Sequence, residues 1–269
     1  MAELGRAALA VTLALSLYAL VAGGLAAFKG RRRLAHSARN ALVAAFFSTA
    51  VATGVLVAGF LRDDFSLAYV AGHSSEALPV RYKISALWGG QEGSLLLWLL
   101  ILTGYAALAV WVNRRRARDL VVWVTPVLAA ICVGFAWLLV AVSSPFDVIA
   151  APLDGRGLNP SLQNPYMVAH PVLLYLGYVG LAVPFAFAMG ALLSGRTDER
   201  WIVATRRWTL VAWTTLGIGQ LLGAHWAYEE VGWGGYYAWD PVENAALMPW
   251  LAATAFLHSV MIQEKRGML

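Results

Sequence analysis

Long apolar runs without charged residues recur along the chain, and short segments that hold most of its charge separate them. Seven such runs can be marked: Ala8–Phe28, Asn40–Leu61, Ser94–Val112, Leu120–Val142, Pro171–Leu193, Trp208–His225 and Asn244–Ile262. Each is about 18 to 23 residues long, the length an α-helix needs to cross a bilayer. Because only helices satisfy every backbone hydrogen bond in lipid at this length, the pattern predicts an all-α polytopic membrane bundle of about seven transmembrane helices.

The distribution of basic residues predicts how the bundle is oriented. Fifteen of the twenty Lys and Arg residues lie after the first, third and fifth runs and in the C-terminal tail. The positive-inside rule therefore places the N-terminus outside and the C-terminus in the cytoplasm. The net charge of +5 is explained by this topology, so it gives no reason to expect nucleic-acid binding. The single cysteine, Cys132 in the fourth run, cannot form a disulfide or a thiolate metal site within one chain.

The stretch from His225 to Trp250, HWAYEEVGWGGYYAWDPVENAALMPW, has a different composition from the rest of the chain. It combines tryptophans, tyrosines and glycines with four carboxylates and contains no Lys or Arg. Aromatic faces around bare backbone suit a large, flat, mostly apolar ligand. The residues that we predict to bind such a ligand are Trp226, Trp233, Gly234, Gly235, Tyr236, Tyr237, Trp239 and Asp240.

Within this stretch, Asp240-Pro241-Val242-Glu243 is typical of a helix start. Asp suits the N-cap, Pro the first helical position, and Glu the third position of a capping box. Because Asp240 and Glu243 have this structural role, we assign them no acid–base chemistry, and no catalytic residue is predicted. The chain also contains no phosphate-binding loop, dinucleotide fingerprint, zinc-protease motif or nucleophile elbow, which argues against an ATPase or a protease.

Three histidines are candidate ligands. His170 directly precedes Pro171, which suits a first helical turn, so we expect His170 at the outer mouth of the fifth helix. His258 lies about 21 Å along the last helix from Asn244 at 1.5 Å per residue; it is either a metal ligand or a histidine bonded to another helix. His225 is either a ligand or a polar residue at a helix end. Because a neutral imidazole is the usual axial ligand of haem iron, His170 and His258 are compatible with two haem positions at different depths.

Several motifs together resemble one known family. WGGYYAWDPVEN resembles the tryptophan-rich WWD signature of membrane haem-handling proteins. The segments YKISALWGGQEGSLLLW, NPYMVAHPVLLYLGYVG and FLHSVMIQEKRG resemble segments of the CcmF/NrfE family of cytochrome c maturation haem lyases, in the same order. The resemblance extends from about residue 40 to the end. Tyr236 and Tyr237 stand where that family has paired tryptophans, and its chains are much longer.

The resemblance implies a function in cytochrome c biogenesis, with specific roles for two histidines. His170 corresponds to one of two external ligands of incoming haem, and His258 to one of two transmembrane ligands of a b-type haem. His225 matches no histidine of the family. The family receives haem from the chaperone CcmE at the WWD surface and works with a CcmH-type thiol-reducing partner. It presents haem to an apocytochrome c, while the b-type haem, reduced by quinol, keeps the delivered iron reduced.

The family pattern also implies where the chain and its site belong. We expect residues 1–269 to form a single transmembrane domain with a WWD loop at about 225–250, as an N-terminal portion or one half of a longer or split protein. The expected location is the bacterial inner membrane, with this loop on the periplasmic side. Because the loop is acidic, haem propionates are expected near Arg81, Lys83 or Arg156 of other outer loops.

Two other functions stay open at this point. One is a membrane cytochrome b-like, quinol-oxidising electron carrier, which would need paired membrane histidines. The other is a haem transporter, for which broken helices and polar residues at the membrane midplane are typical.

Overall fold

The protein is helical throughout the part of the chain that can be described. A computed structural model describes residues 1–115, 117–196, 200–231 and 235–266, without the side chain of Glu264. The α-helices in these ranges are α1 Ala2–Lys29, α2 Arg32–Leu61, α3 Ala68–His73, α4 Val80–Ser85, α5 Gln91–Val112, α6 Arg118–Ala141, α7 Pro165–Gly180, α8 Ala182–Ser194, α9 Arg200–Glu230 and α10 Pro241–Lys265. These ranges contain no β-strand, only an isolated antiparallel bridge between Leu67 and Val148. The all-α prediction is confirmed.

Six helical spans in the described ranges are long and apolar enough to cross a membrane. They are Ala2–Lys29, Arg32–Leu61, Gln91–Val112, Arg118–Ala141, Pro165–Ser194 and Pro241–Gln263. The remaining predicted run lies in α9, which has 31 residues and is less apolar because it combines Gln220 and His225 with charged residues at both ends. The polytopic membrane bundle is therefore confirmed, while the count of seven and the sidedness of the termini stay predictions.

The helix that carries His170 begins earlier than the sequence suggested. Asn164 caps α7 by accepting a hydrogen bond from the Tyr166 backbone N–H at 2.8 Å. Pro165 occupies the first turn, where its missing N–H is not needed. His170 therefore lies in the second turn of α7, and Pro171 is inside the helix. The prediction that His170 stands at the helix mouth was wrong because the Asn-Pro pair upstream starts the helix.

The same predicted run is interrupted near its middle. The helix α7 ends at Gly180 and α8 begins at Ala182, with Leu181 between them. Pro184 lies in the first turn of α8. Because proline has no backbone N–H, Pro184 cannot donate the helical hydrogen bond to the residue four positions earlier, Gly180. The Gly180 carbonyl thus loses its helical partner, which explains the local break.

The chain packs as two compact units, residues 1–111 with 125–163 and residues 112–124 with 164–269. In the first unit, α1 and α2 approach closely through small residues. Thr12 and Thr49 share a hydrogen bond of 3.3 Å between their hydroxyls, and Ser48 donates to the Ala8 carbonyl at 2.8 Å. Such side chains commonly link membrane helices.

In the first unit, a buried ion pair links α4 to the turn after α2. Lys83 is 6% exposed, and its Nζ lies 2.6 Å from a carboxylate oxygen of Asp63. Removing one partner of such a pair leaves an uncompensated buried charge. Lys83 therefore has a structural partner, and the expectation that it is available to a haem propionate was wrong.

In the second unit, α9 packs against α7, α8 and α10. In the stretch 225–250, expected to be a loop, α9 continues to Glu230 and α10 begins at Pro241, so most of its described residues are helical. The described part of the connection that leads into α10, residues 235–240, is called the aromatic segment below. This arrangement brings six of the candidate residues of α7, α9 and the aromatic segment to one cavity.

Candidate functional site

A cavity of about 710 Å³ lies in the second unit between α7, α9, the aromatic segment and α10. Small-molecule and cofactor sites have volumes of roughly 300–1,000 Å³ and mostly apolar walls. On α9 the cavity extends from Trp213 to Ala227, about 21 Å along the helix axis at 1.5 Å per residue. Six predicted site residues line it: His170, Trp226, Tyr236, Tyr237, Trp239 and Asp240.

The hydrogen bond of His170 determines which of the two ring nitrogens is unprotonated. Its Nδ1 lies 2.7 Å from the Gly219 carbonyl oxygen on α9. A carbonyl oxygen only accepts, so Nδ1 must carry the proton and donate it. Nε2 of the neutral ring then keeps its lone pair. Histidines that bind metals typically donate their other ring N–H in this way.

The aromatic segment presents its rings in pairs. Tyr236 stacks on Tyr228 of α9 with ring centres 4.9 Å apart and planes 18° apart. Tyr237 and Trp239 meet edge to face, also at 4.9 Å. Tyr236 is 62% exposed and Trp239 71% exposed, although both line the cavity. These rings are therefore accessible at the cavity rim and are not buried among themselves.

The first turn of α10 holds the aromatic segment in place. The Glu243 N–H donates to Asp240 Oδ1 at 2.7 Å, and Glu243 Oε2 accepts from the N–H groups of Asp240 and Ala238 at 3.4 and 2.8 Å. These reciprocal bonds form the predicted capping box. The structural role that the sequence predicted for Asp240 and Glu243 is confirmed.

Asn244 adds a second set of bonds to the same segment. Its Nδ2 donates to the Trp239 carbonyl at 3.0 Å, and its Oδ1 accepts from the Tyr237 hydroxyl at 3.2 Å. Trp239 has a φ of +60°, a left-handed conformation that is uncommon for a bulky residue. Desolvation, together with the negative charges of Glu243 and Asp240, raises the pKa of Tyr237.

Two cavity tryptophans were missing from the predicted site. Trp213 of α9 stacks on Trp250 of α10 with centres 5.5 Å apart and planes 13° apart. Trp213 Nε1 donates to Thr254 Oγ1 at 2.7 Å, and Trp250 Nε1 donates to the Trp213 carbonyl at 3.1 Å. The signal in the sequence was the helical spacing of Trp213, Gly217, Gln220 and Ala224, which share one face of α9.

His258 occupies a different environment from His170. It is exposed on α10, and its Nδ1 donates to the Thr254 carbonyl one turn earlier, at 2.8 Å. Nε2 is therefore again the unprotonated nitrogen. In the described part of the chain His258 does not line the cavity, so the structure separates the two predicted histidine ligands.

The remaining candidates lie outside the cavity or outside the described residues. His225 Nε2 pairs with Glu229 Oε1 at 3.2 Å, and its ring meets Tyr166 edge to face at 4.2 Å. Gly235 does not line the cavity in the described ranges, and a Cβ there would meet nothing within 4 Å. Trp233 and Gly234 lie outside the described residues.

Comparison with known proteins identifies the family. A family model described as cytochrome C assembly protein matches residues 88–269. The chain belongs to the cytochrome c assembly protein family. The match includes every predicted site residue, and it confirms the resemblance that the sequence motifs carried.

Members of this family with similar sequences come from several bacteria. The chain is 49% identical over 267 residues to the cytochrome c-type biogenesis protein CcmF of Pseudomonas aeruginosa, covering 98% of this chain and 41% of that protein. It is 45% identical over 262 residues to CcmF of Escherichia coli strain K12, covering 97% of this chain and 40% of that protein. It is 47% identical over 221 residues to NrfE of Haemophilus influenzae, covering 82% of this chain and 35% of that protein.

A solved structure in the family has the same fold. The structure is titled cytochrome c heme lyase CcmF, and it matches with a TM-score of 0.85 and 38% sequence identity. The match covers 99% of this chain and 43% of that one. The chain thus spans about two fifths of the length of the CcmF relatives that it matches.

Proposed function

We propose that this chain is the haem-binding part of a cytochrome c haem lyase, and that haem is the cargo of the cavity between α7, α9 and α10. His170 supplies an axial ligand to the iron through Nε2. Trp226, Tyr236, Tyr237 and Trp239 hold the porphyrin faces by dispersion and stacking.

One observation carries this proposal, the hydrogen bond from His170 Nδ1 to the Gly219 carbonyl at 2.7 Å. It leaves an unprotonated nitrogen on a residue that lines an apolar, aromatic cavity. The described residues contain no group of three or more His, Cys, Asp or Glu that could hold a metal ion. A metalloporphyrin brings its own four nitrogen ligands, so it suits a cavity that offers one imidazole and flat apolar walls.

The proposed partners are those that the family resemblance implies. Haem arrives at the exposed rings of the aromatic segment from a CcmE-type chaperone, on the periplasmic side of the bacterial inner membrane. A CcmH-type partner supplies the reduced apocytochrome c, whose two cysteine thiols add across the haem vinyl groups to form thioethers. In this scheme the chain positions the haem, limits the access of water to one face and holds the iron.

A second haem is proposed for the membrane-embedded part of α10. His258 has an unprotonated Nε2 and an exposed side chain, so it can contribute one axial ligand to a b-type haem. That haem would pass electrons from quinol to the delivered haem and so keep the delivered iron reduced. The lightly buried surface of α10 supports this placement because it leaves room beside the helix.

Haem spectra of single histidine variants test the proposal. We expect His170→Ala to abolish binding of added haem at the cavity while leaving any co-purified membrane haem unchanged. We expect His258→Ala to remove the membrane haem and leave the cavity able to bind. His225→Ala is the matched control, since His225 belongs to the same aromatic stretch but does not line the cavity in the described structure, and it should change neither.

The same variants separate the proposal from its alternatives. A quinol-oxidising electron carrier would keep its function in His170→Ala and lose it in His258→Ala. A haem transporter would move haem across vesicle membranes without any need for an apocytochrome. If His170→Ala and His225→Ala bind added haem as well as the unchanged protein, His170 is not the ligand and the proposed site is wrong.

A further inference from the structure

The imidazole of His170 lies in a slot that exists because residue 223 is glycine. A Cβ built on Gly223 would lie 2.7 Å from His170 Nδ1 and 3.1 Å from Nε2, and it would overlap the ring. Real Cβ atoms essentially never approach other heavy atoms closer than 3.0 Å. Any side chain at this position would therefore require the imidazole to move.

Gly223 differs in this respect from two other glycines of the interface between α7 and α9. A Cβ on Gly219 would meet the backbone of Leu174, with its nitrogen at 2.6 Å, and a Cβ on Gly177 would overlap the backbone of Leu216. Those two glycines let the helix backbones approach each other. At Gly223 the three nearest atoms all belong to the His170 ring, so this glycine accommodates one side chain.

The position of the ring decides its protonation pattern. With the imidazole in this slot, Nδ1 lies 2.7 Å from the carbonyl oxygen of Gly219, which belongs to α9. If the ring left the slot, Nδ1 would lose this acceptor, and the proton could reside on either nitrogen. The unprotonated nitrogen would then no longer be fixed as Nε2.

We propose that Gly223 is a positioning residue that acts through His170. Its missing side chain creates the slot in which His170 Nδ1 donates to the Gly219 carbonyl, and this bond presents Nε2 as the ligand atom. The predicted effect on haem affinity rests on the proposed function, whereas the predicted effect on the position of the His170 ring does not.

Nitrogen NMR of histidine-labelled protein tests the ring position without any haem. The signals of His170 are assigned as those missing from His170→Ala. In the unchanged protein we expect the tautomer with the proton on Nδ1, and in Gly223→Ala we expect that signal to shift or to split between tautomers. Gly134→Ala is the matched control, because a Cβ on Gly134 would meet nothing within 4 Å. An unchanged His170 signal in Gly223→Ala would overturn the proposal.

Haem titrations then test whether the glycine acts through the histidine. Removing a group that orients a metal ligand typically lowers affinity roughly 10- to 100-fold, and we expect a loss of this size in Gly223→Ala. In the His170→Ala background, with free imidazole added to restore a ligand and measurable binding, the same change should have no further effect, since coupled residues are not additive. A further loss in the double variant would show that Gly223 acts independently, contrary to the proposal.

Two further results distinguish a failure of the proposed slot from a failure of the proposed haem ligand. If Gly223→Ala fails to fold, the double variant His170→Ala/Gly223→Ala should restore folding because it removes the overlapping ring, and failure to do so would contradict the slot. If His170→Ala binds haem normally while Gly223→Ala still changes the His170 NMR signal, the slot stands and the proposed haem ligand is wrong.

Discussion

The α7–α9 and α10 sides of the cavity are built in different ways. On the α7–α9 side the backbones are in close contact at Gly177 and Gly219, where an added Cβ would overlap the backbone of the facing helix. On the α10 side the apolar span is largely exposed, whereas the span that contains α7 is more buried. There α10 meets α9 through the Trp213–Trp250 stack and two indole hydrogen bonds.

The two sides therefore differ in how they hold their candidate residues. The tightly packed side carries His170, whose Nδ1 donates to the Gly219 carbonyl. The lightly packed side carries the capping box and the aromatic segment, whose rings are exposed at the rim. We infer that changes on the α7–α9 side affect stability and iron ligation together, while changes on the α10 side affect mainly the capture of the ligand.

Adding a methyl group at Gly219 should disrupt the packing of α7 against α9 and cause the largest loss of stability. Gly219→Ala forces the Cβ against the backbone of Leu174, and overpacking of this kind costs about 1–3 kcal/mol. The free energy of unfolding, measured by denaturation in mixed micelles, should fall by that amount, and haem affinity should fall with it. Gly134→Ala in α6 is the control, and because alanine is the better helix former it should leave stability unchanged or raise it by up to about 1 kcal/mol; equal losses in both variants would contradict the account.

Removing the N-cap of α10 should have a smaller and more local effect. Asp240→Ala deletes the acceptor of the Glu243 N–H, and loss of a cap typically costs about 1 kcal/mol. We expect the aromatic segment to tilt, so that stopped-flow mixing shows slower haem capture while His170 ligation in the final complex is unchanged.

Asp240→Asn sharpens this second test because asparagine caps as well as aspartate. The free energy of unfolding and the rate of haem capture of this variant should equal those of the unchanged protein. If the Asn variant is as slow as the Ala variant, the carboxylate charge matters and the capping explanation fails.

The smallest expected effect comes from one hydroxyl of the aromatic segment. Tyr237→Phe keeps the ring and removes its bond to Asn244, for a net loss of about 0.5–1.5 kcal/mol. The raised folded-state pKa means that this contribution is complete below the usual pKa of 10.0 and is lost as the pH rises through the raised value. Stability measured against pH should therefore fall in strongly alkaline solution for the unchanged protein, and this part of the fall should be absent in Tyr237→Phe.

The sequence predicted those features of the fold that depend on local patterns. Apolar runs of membrane-spanning length gave the helices because lipid leaves the backbone no other solution. The Asp240–Glu243 capping box was predicted correctly because its bonds link residues three apart. His170 was misplaced because two prolines, Pro165 and Pro171, each suit a helix start, and the cap formed by Asn164 distinguishes them.

Features that depend on contacts between distant helices were not predicted. Trp213, Gly219 and Gly223 looked like ordinary residues of an apolar helix, and their roles depend on which face of α9 meets α7 and α10. Lys83 looked like a free outer cation, and its partner Asp63 lies 20 residues earlier in the chain. Pairings of this kind are set by tertiary packing, which a single sequence does not specify.

The central claim is that His170 Nε2 binds haem iron in the cavity between α7, α9 and α10. Its most direct test is a high-resolution map of the protein after loading with haem. The account predicts iron bonded to Nε2 of His170, with Nδ1 still donating to the Gly219 carbonyl and the porphyrin against Tyr236 and Trp239. Haem bonded only to His225 or His258, with no porphyrin beside His170, would contradict it.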